Sequence, residues 1–239
     1  AYNSVDLSTN QYTQLASPRQ NMLAIGSETC ATDDGNIYFC QKSHSKVYCY
    51  NSNVDKWLPE LDLKTNKATA YSFVAHDNLL YFIEGKNSKG NVLDEYVQAY
   101  DCRTPKWLEL STVKNENYSY FTSSYDNYQL SSCVADGKIY VYDGIKFKLF
   151  DPVAGKWIDT EVENCWKCGC SKRWPGSEYD ELKLIYLKKQ LFVFGFTSRE
   201  YLIYNHMTNT CKKSVLFKSY DEVGYLNFEE VVMSNAIEM

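Results

Sequence analysis

The sequence is short of histidine, of basic charge and of long apolar runs, and each shortage removes a class of function. Only three His occur, at 44, 76 and 206, and none stands in the H-x-x-x-H spacing of a helical zinc site. There is no Gly-x-Ser-x-Gly nucleophile elbow, no phosphate-binding glycine loop and no paired acidic motif fit for acid and base roles. The chain therefore reads as a non-enzyme. Lys and Arg number 25 against 30 Asp and Glu, a net charge of -5, which leaves no basic footprint for nucleic acid. No run of 18 apolar residues is present, so no transmembrane helix and no membrane partner are expected. The polar opening from Ala1 to Asp6 is not a secretory signal, and a start without methionine reads as an excised fragment. Nine Cys is an odd number, and several fall inside predicted strands. That pattern suits the reduced thiols of a cytoplasmic protein better than a secreted disulfide framework. A sustained 3.6-residue apolar period is also missing, which predicts almost no helix.

What the chain does have is aromatic residues, 15% of it, including 21 Tyr, within a hydrophobic fraction of 44%. This composition suits strands and an ordinary apolar core. The aromatics recur in register. Tyr50 is followed seven residues on by Trp57, Tyr100 by Trp107, Phe150 by Trp157, and Tyr204 by Cys211, with a fainter copy at Val5 and Tyr12. The intervals between copies are 45, 50, 50 and 54 residues, a period that indicates a propeller or solenoid.

Between anchors a single order of strands returns. The second strand of each unit is the clearest, beginning at Asp34-Gly35-Asn36, Asp77-Asn78-Leu79, Asp136-Gly137-Lys138 and Lys188-Lys189-Gln190. Asp-Gly and Asn at these points predict tight hairpin turns. A third strand carries the anchor aromatic, the Asn or Asp after it turns the chain, and Trp begins a short fourth strand. Full burial of Trp107 would remove roughly 150 to 250 Å² from water, which places it as a core anchor between units. The chain opens with a third and fourth strand alone. Phe228 to Met233 and the stretch around Ile237 resemble a first and second strand, so both termini are expected to close one shared blade within a single domain of residues 1–239.

This pattern resembles the kelch repeat, carried by Tyr50/Trp57, Tyr100/Trp107, the variant Phe150/Trp157 and the second strand Asp136-Gly137-Lys138-Ile139-Tyr140. The Gly-Gly pair usual at the end of a kelch second strand is replaced by Cys40-Gln41, Glu84-Gly85, Asp143-Gly144 and Gly195-Phe196. The resemblance implies an all-β, kelch-like β-propeller of about five four-stranded blades, without a cofactor. It also implies a protein-binding domain of the kind that captures substrates in BTB-kelch adaptors, where a separate BTB region binds Cullin-3. An actin-associated scaffold is the alternative, followed by a divergent propeller enzyme or glycan binder.

In such a fold the sheets are scaffold and partners meet the loops. The loop from Gly85 to Glu95 offers Lys86, Asn87 and Lys89, either as a solvated hairpin or as a contact loop, and the loop from Gly195 to Glu200 offers Arg199. Between Ser111 and Leu130 lie Tyr118, Tyr120 and Tyr125 among Asn and Ser, a binding-surface mixture unless they are core residues of the next first strand. Between Glu161 and Glu181, Arg173 and Trp174 have the chemistry of an interface hot spot. Nearby Cys165, Cys168 and Cys170 supply three thiols where closed zinc needs four ligands, so they read as free thiols rather than a metal site. His206, in the turn after an anchor, is expected at the surface.

Overall fold

A computed structural model describes residues 3–6, 11–14, 16, 27–41, 46–63, 68–87, 92–108, 110, 130–142, 147–158, 182–195, 200–208 and 210–215. Every regular element among them is a β-strand. The chain divides into two compact units, Ala1–Ser119 and Tyr120–Met239.

In the first unit, β1 (Asn3–Asp6) and β2 (Gln11–Gln14) form a two-stranded sheet. The second sheet contains β3 (Ser27–Ala31), β4 (Asn36–Gln41), β5 (Lys46–Asn51) and β6 (Lys56–Trp57) in that order, with β7 (Leu61–Asp62) also paired to β5. β7 is not evident in the sequence. Leu58 still donates its N–H to the Cys49 carbonyl, and β7 then pairs at Val47 and Lys46. Pro59, with no N–H to give, stands at the break between the two short strands. The third sheet is β8 (Ala68–His76), β9 (Leu79–Asn87), β10 (Val92–Asp101) and β11 (Lys106–Leu108). In the second unit, the fourth sheet is β12 (Ser131–Ala135), β13 (Lys138–Tyr142), β14 (Phe147–Asp151) and β15 (Lys156–Ile158). The fifth is β16 (Leu182–Leu187), β17 (Gln190–Gly195), β18 (Glu200–Asn205) and β19 (Thr210–Val215). All pairings are antiparallel, and all but that of β5 with β7 join neighbours in sequence.

The spacing of seven has a plain structural cause. Val5 faces Tyr12, Tyr50 faces Trp57, Tyr100 faces Trp107, Phe150 faces Trp157 and Tyr204 faces Cys211, each pair directly opposed across its third and fourth strands. The turn that sets this register is held by the residue after the anchor. The side-chain oxygen of Asn51 accepts the N–H groups of Asn53 and Val54 at 3.0 and 3.2 Å. Asp101 does the same for Arg103 and Thr104, Asp151 for Val153 and Ala154, and Asn205 for Met207 and Thr208. A short side chain that can bend back to its own backbone is what Asn and Asp provide.

The first hairpins of the later sheets follow the turn chemistry with one exception. Asp77-Asn78 and Asp136-Gly137 take positive φ at both residues, 51° and 59°, then 49° and 72°. Lys188 and Lys189 do so at 48° and 62°. Such two-residue turns favour Asn, Asp and Gly, and a left-handed conformation costs an ordinary side chain roughly 1–2 kcal/mol.

Second strands of the third, fourth and fifth sheets are buried on both faces, which is why they stand out as apolar runs: Leu80 to Ile83, Ile139 to Tyr142 and Leu191 to Phe194 are all buried. In the first unit the second and third sheets share a core of Tyr38, Cys40, Val47 and Cys49 against Phe73, Leu80 and Phe82. Phe73 and Phe82 stack at 4.6 Å. In the second unit Tyr140, Tyr142 and Phe147 of the fourth sheet meet Leu184, Leu191, Val193, Leu202 and Tyr204 of the fifth. Phe147 stacks on Tyr204 at 4.5 Å, and the buried Ser131 hydroxyl accepts the Leu184 N–H at 2.8 Å. Two residues beyond β2, Ala16 bonds to the second sheet: its N–H goes to Asp55 and its carbonyl accepts the Trp57 indole N–H.

Two expectations need correction. The stretch from Gly85 to Glu95 is not one loop, because β9 runs on to Asn87 and β10 begins at Val92. Lys86 pairs there with both Ala70 and Val92, with register shifts on each side. Backbone pairing and bulges absorb the Gly and Asn that the sequence presents as loop residues. Trp107 is also half-buried rather than enclosed, packed at the margin of the core between the second and third sheets. The expected closure by Phe228 to Ile237 lies outside the described residues.

Trp107 contacts Tyr100 at 5.3 Å and Phe82 at 5.5 Å between ring centroids. Replacing it by Ala should cost about 3 kcal/mol, the low end of the range for a large aromatic truncation. Thermal melts should show a fall of about 6–12 °C. A shift within a degree or two would show that the aromatic pair does not hold the sheet.

Candidate functional site

Antiparallel order gives each four-stranded sheet two different ends. One carries the turns from first to second and third to fourth strand, the turn end. The other carries the connection from second to third strand and the exit of the fourth, the loop end. The residues singled out in the sequence as partner contacts belong to segments joined to their sheets at the loop end. Lys86 and Asn87 are placed in β9. Lys89, Arg199, Tyr118, Tyr120, Tyr125, Arg173 and Trp174 lie outside the described residues, as do Cys165, Cys168 and Cys170. β15 ends and β16 begins at the loop end of their sheets.

The chemistry that the sequence did not reveal sits at the turn end, where one sheet leans on the next. Tyr38, in β4, and Cys102, in the turn after β10, occupy positions matched in the second unit by Tyr140 and His206. In the first unit the Tyr38 hydroxyl is within hydrogen-bonding reach of both Cys102 and Cys49. Burial pushes the phenol far up, with Cys102 adding to the shift. The Cys49 thiol is pushed up by burial to about 11, and Cys102 is raised for the same reason. Thiols held protonated in this way are poor nucleophiles, so the pair acts in packing. Cys49 and Cys102 are both free thiols.

In the second unit the same junction carries ionisable groups. His206 Nε2 lies 2.8 Å from Asp136 Oδ2, and the Tyr186 hydroxyl donates to Asp136 Oδ1 at 2.9 Å. The imidazole is edge-on to Tyr140 and Tyr186, each 5.6 Å away between centroids. Its side chain is 6% exposed, which corrects the expected surface role. The cause is positional: His206, one step beyond the capping Asn205, reaches back to Asp136 of the preceding sheet. The histidine and then the Tyr186 hydroxyl hold the Asp136 carboxyl below its ordinary value, with the Lys189 charge adding to the effect.

A His–Asp pair beside a tyrosine has the members of an acid–base relay. Here the second ring nitrogen, Nδ1, is buried and meets no partner among the described residues. Among the described residues it faces no nucleophile, and the ring packs between Tyr140 and Tyr186, so the contact joins the two sheets as a latch. Among the described residues no group of three or more His, Cys, Asp or Glu is placed to hold a metal. Sequence spacing gave one usable clue to the latch, the equivalence of Cys102 and His206 one step beyond the capping residue.

Against known proteins, no family model matches the chain. An F-box/kelch-repeat protein of Arabidopsis thaliana is 29% identical over 123 residues, 51% of this chain and 26% of that protein. The chain thus matches about a quarter of that relative's length. Among solved structures, that of YjhT aligns with a TM-score of 0.55 at 14% identity, over 83% of this chain and 67% of the other. A likeness at that identity speaks to fold alone. Together with the repeated four-stranded sheets, it identifies the fold as all-β and kelch-like, of the propeller class.

The latch makes a pH-dependent contribution. Asp136 is depressed in the folded state, so its contribution is fully present above the unfolded value near 4 and is lost as pH falls through the lower folded value. Tyr186→Phe should lower the melting temperature at pH 7, and the gap from the parent should close below about pH 4 as Asp136 is protonated. A gap independent of pH would mean that the hydroxyl does not act through the carboxylate. His206→Ala should cost about 1–3 kcal/mol through the lost ring and hydrogen bond.

Proposed function

We propose that this chain is the substrate-recognition propeller of a ubiquitin-ligase adaptor. The carrying observation is the kelch-type repeat itself, five opposed anchor pairs in one chain, together with a relative in which kelch repeats accompany an F-box. Kelch-repeat likeness points to a protein-interaction module, and sheets of this kind act as scaffold while the connecting segments vary. In this reading the chain captures a protein at the loop end, through the segments bearing Lys86, Asn87 and Lys89, Tyr118 to Tyr125, Arg173 and Trp174, and Arg199. A separate region would bind the ligase: a BTB fold recruiting Cullin-3, or an F-box as in the Arabidopsis relative. The chain's location in this role is cytoplasmic.

Affinity purification of the full-length protein tests the role. Recovery of Cullin-3 supports the BTB form, and recovery of an F-box-dependent ligase core in its place assigns the other. Recovery of neither overturns the adaptor reading, and co-sedimentation with filamentous actin would then favour the scaffold. Arg173→Ala with Trp174→Ala should weaken capture of a co-purifying substrate about tenfold or more without altering the melt, as expected of hot-spot residues. Unchanged capture would remove those two residues from the contact surface.

A further inference from the structure

Charge is unevenly distributed along this acidic chain. The stretch that forms the fifth sheet, residues 182–215, carries Lys183, Lys188, Lys189, Arg199, Lys212 and Lys213 against the single carboxylate of Glu200, while the whole protein has a net charge of -5. Two of these lysines are placed with unusual backbone geometry. Lys188 and Lys189 make the β16–β17 turn at φ 48° and 62°, where the equivalent turns hold Asp77-Asn78 and Asp136-Gly137. Asn-Gly would satisfy the turn without strain, and strain of this kind concentrates at sites of function. Both lysines are exposed, and neither makes an ion pair among the described residues, although Lys189 acts on Asp136 through space.

An apolar group accompanies them. The β18–β19 turn lies two strand spacings away in the same sheet, about 10 Å, and exposes Met207 at 75%. The large hydrophobic side chains exposed among the described residues are Val54, Val153 and Met207, and all three stand in turns from third to fourth strand. Met207 is held out by a fixed turn. Asn205 Oδ1 accepts the N–H groups of Met207 and Thr208 at 3.0 and 3.2 Å, and the neighbouring His206 is anchored on Asp136.

We propose that Lys188, Lys189 and Met207 form a docking surface for an acidic peptide segment of a partner protein. Its carboxylates meet the two ammonium groups, and an apolar side chain between them lies on the Met207 thioether. The proposal takes from the preceding section only that the partner is a protein, and it puts the contact at the turn end of the fifth sheet, opposite the loop end. Two adjacent cations with one soft apolar side chain about 10 Å away suit a short acidic segment. A nucleic acid calls for a longer cationic track with aromatic platforms, and a membrane surface for several apolar side chains in one plane.

The test is fluorescence anisotropy of the 239-residue protein with a labelled peptide of alternating glutamate and aspartate carrying one central leucine. Lys188→Asn with Lys189→Gly should weaken binding about tenfold and raise the melting temperature, because it removes charge and strain together. The loss then cannot come from unfolding. Met207→Ser should weaken binding several-fold with the melt unchanged, and added salt should weaken the parent complex. Arg173→Ala with Trp174→Ala should leave peptide binding unaltered. Equal affinity of the parent and the double lysine variant would overturn the proposal, as would loss of binding in the Arg173 and Trp174 variant. Tighter binding of polyuridine RNA or of phosphatidylserine vesicles than of the peptide would overturn the class of partner. None of these outcomes alters the recovery of a ligase by the full-length protein, so the two readings fail separately.

Discussion

The structure depends on a side-chain oxygen that bends back onto its own main chain. In each four-stranded sheet an Asn or Asp after the anchor aromatic accepts two backbone N–H groups and closes the turn to the last strand. That turn fixes which residue faces the anchor, and a slip of one would send the aromatic pair to opposite faces. In three sheets the partner is a tryptophan at 5.3 to 5.4 Å, tilted or edge-on to the anchor ring. A local hydrogen-bond pattern thus decides where a large apolar ring is delivered, and the ring covers the edge of the sheet core.

The second constraint is how each sheet meets its neighbour. In the third and fifth sheets the residue after the capping oxygen meets the previous sheet, and its identity sets the chemistry of the joint: a thiol beside a tyrosine in one unit, an imidazole on a carboxylate in the other. Burial raises the thiols, while the imidazole and a phenol hold the carboxylate ionised. Both joints lie at the turn end, away from the long segments that vary in length. The joints between sheets and the entry and exit of the long connections thereby fall at different ends of each sheet.

The fold was legible because its signals are local. Anchor spacing, the capping Asn or Asp, and the Asp-Gly and Asp-Asn hairpins each involve residues a few positions apart, and strands buried on both faces leave apolar runs. Sequence reasoning failed where contacts are distant. His206 reads as a turn residue until the fourth sheet is seen to supply Asp136, and Lys86 reads as loop until Ala70 and Val92 pair with it. Trp107 was recognised as an anchor, but its half-exposure depends on how closely the second sheet approaches. Of the residues proposed for recognition, Lys86 and Asn87 fall within described structure, and only their backbone pairing is seen. The exposed lysines and methionine of the fifth sheet carried no motif and emerged from backbone angle and exposure alone.

The unlike joints also bear on how a repetitive chain avoids assembling in the wrong order. Its units share a strand plan and an anchor, so each could in principle dock on any other, the hazard of repeated sequences during folding. A sheet presenting Asp136 is satisfied by one that brings an imidazole, and a thiol in that place would leave the carboxylate with a poorer partner. Sequence order is written into the side chains at the seams, as an address that each sheet reads on its predecessor.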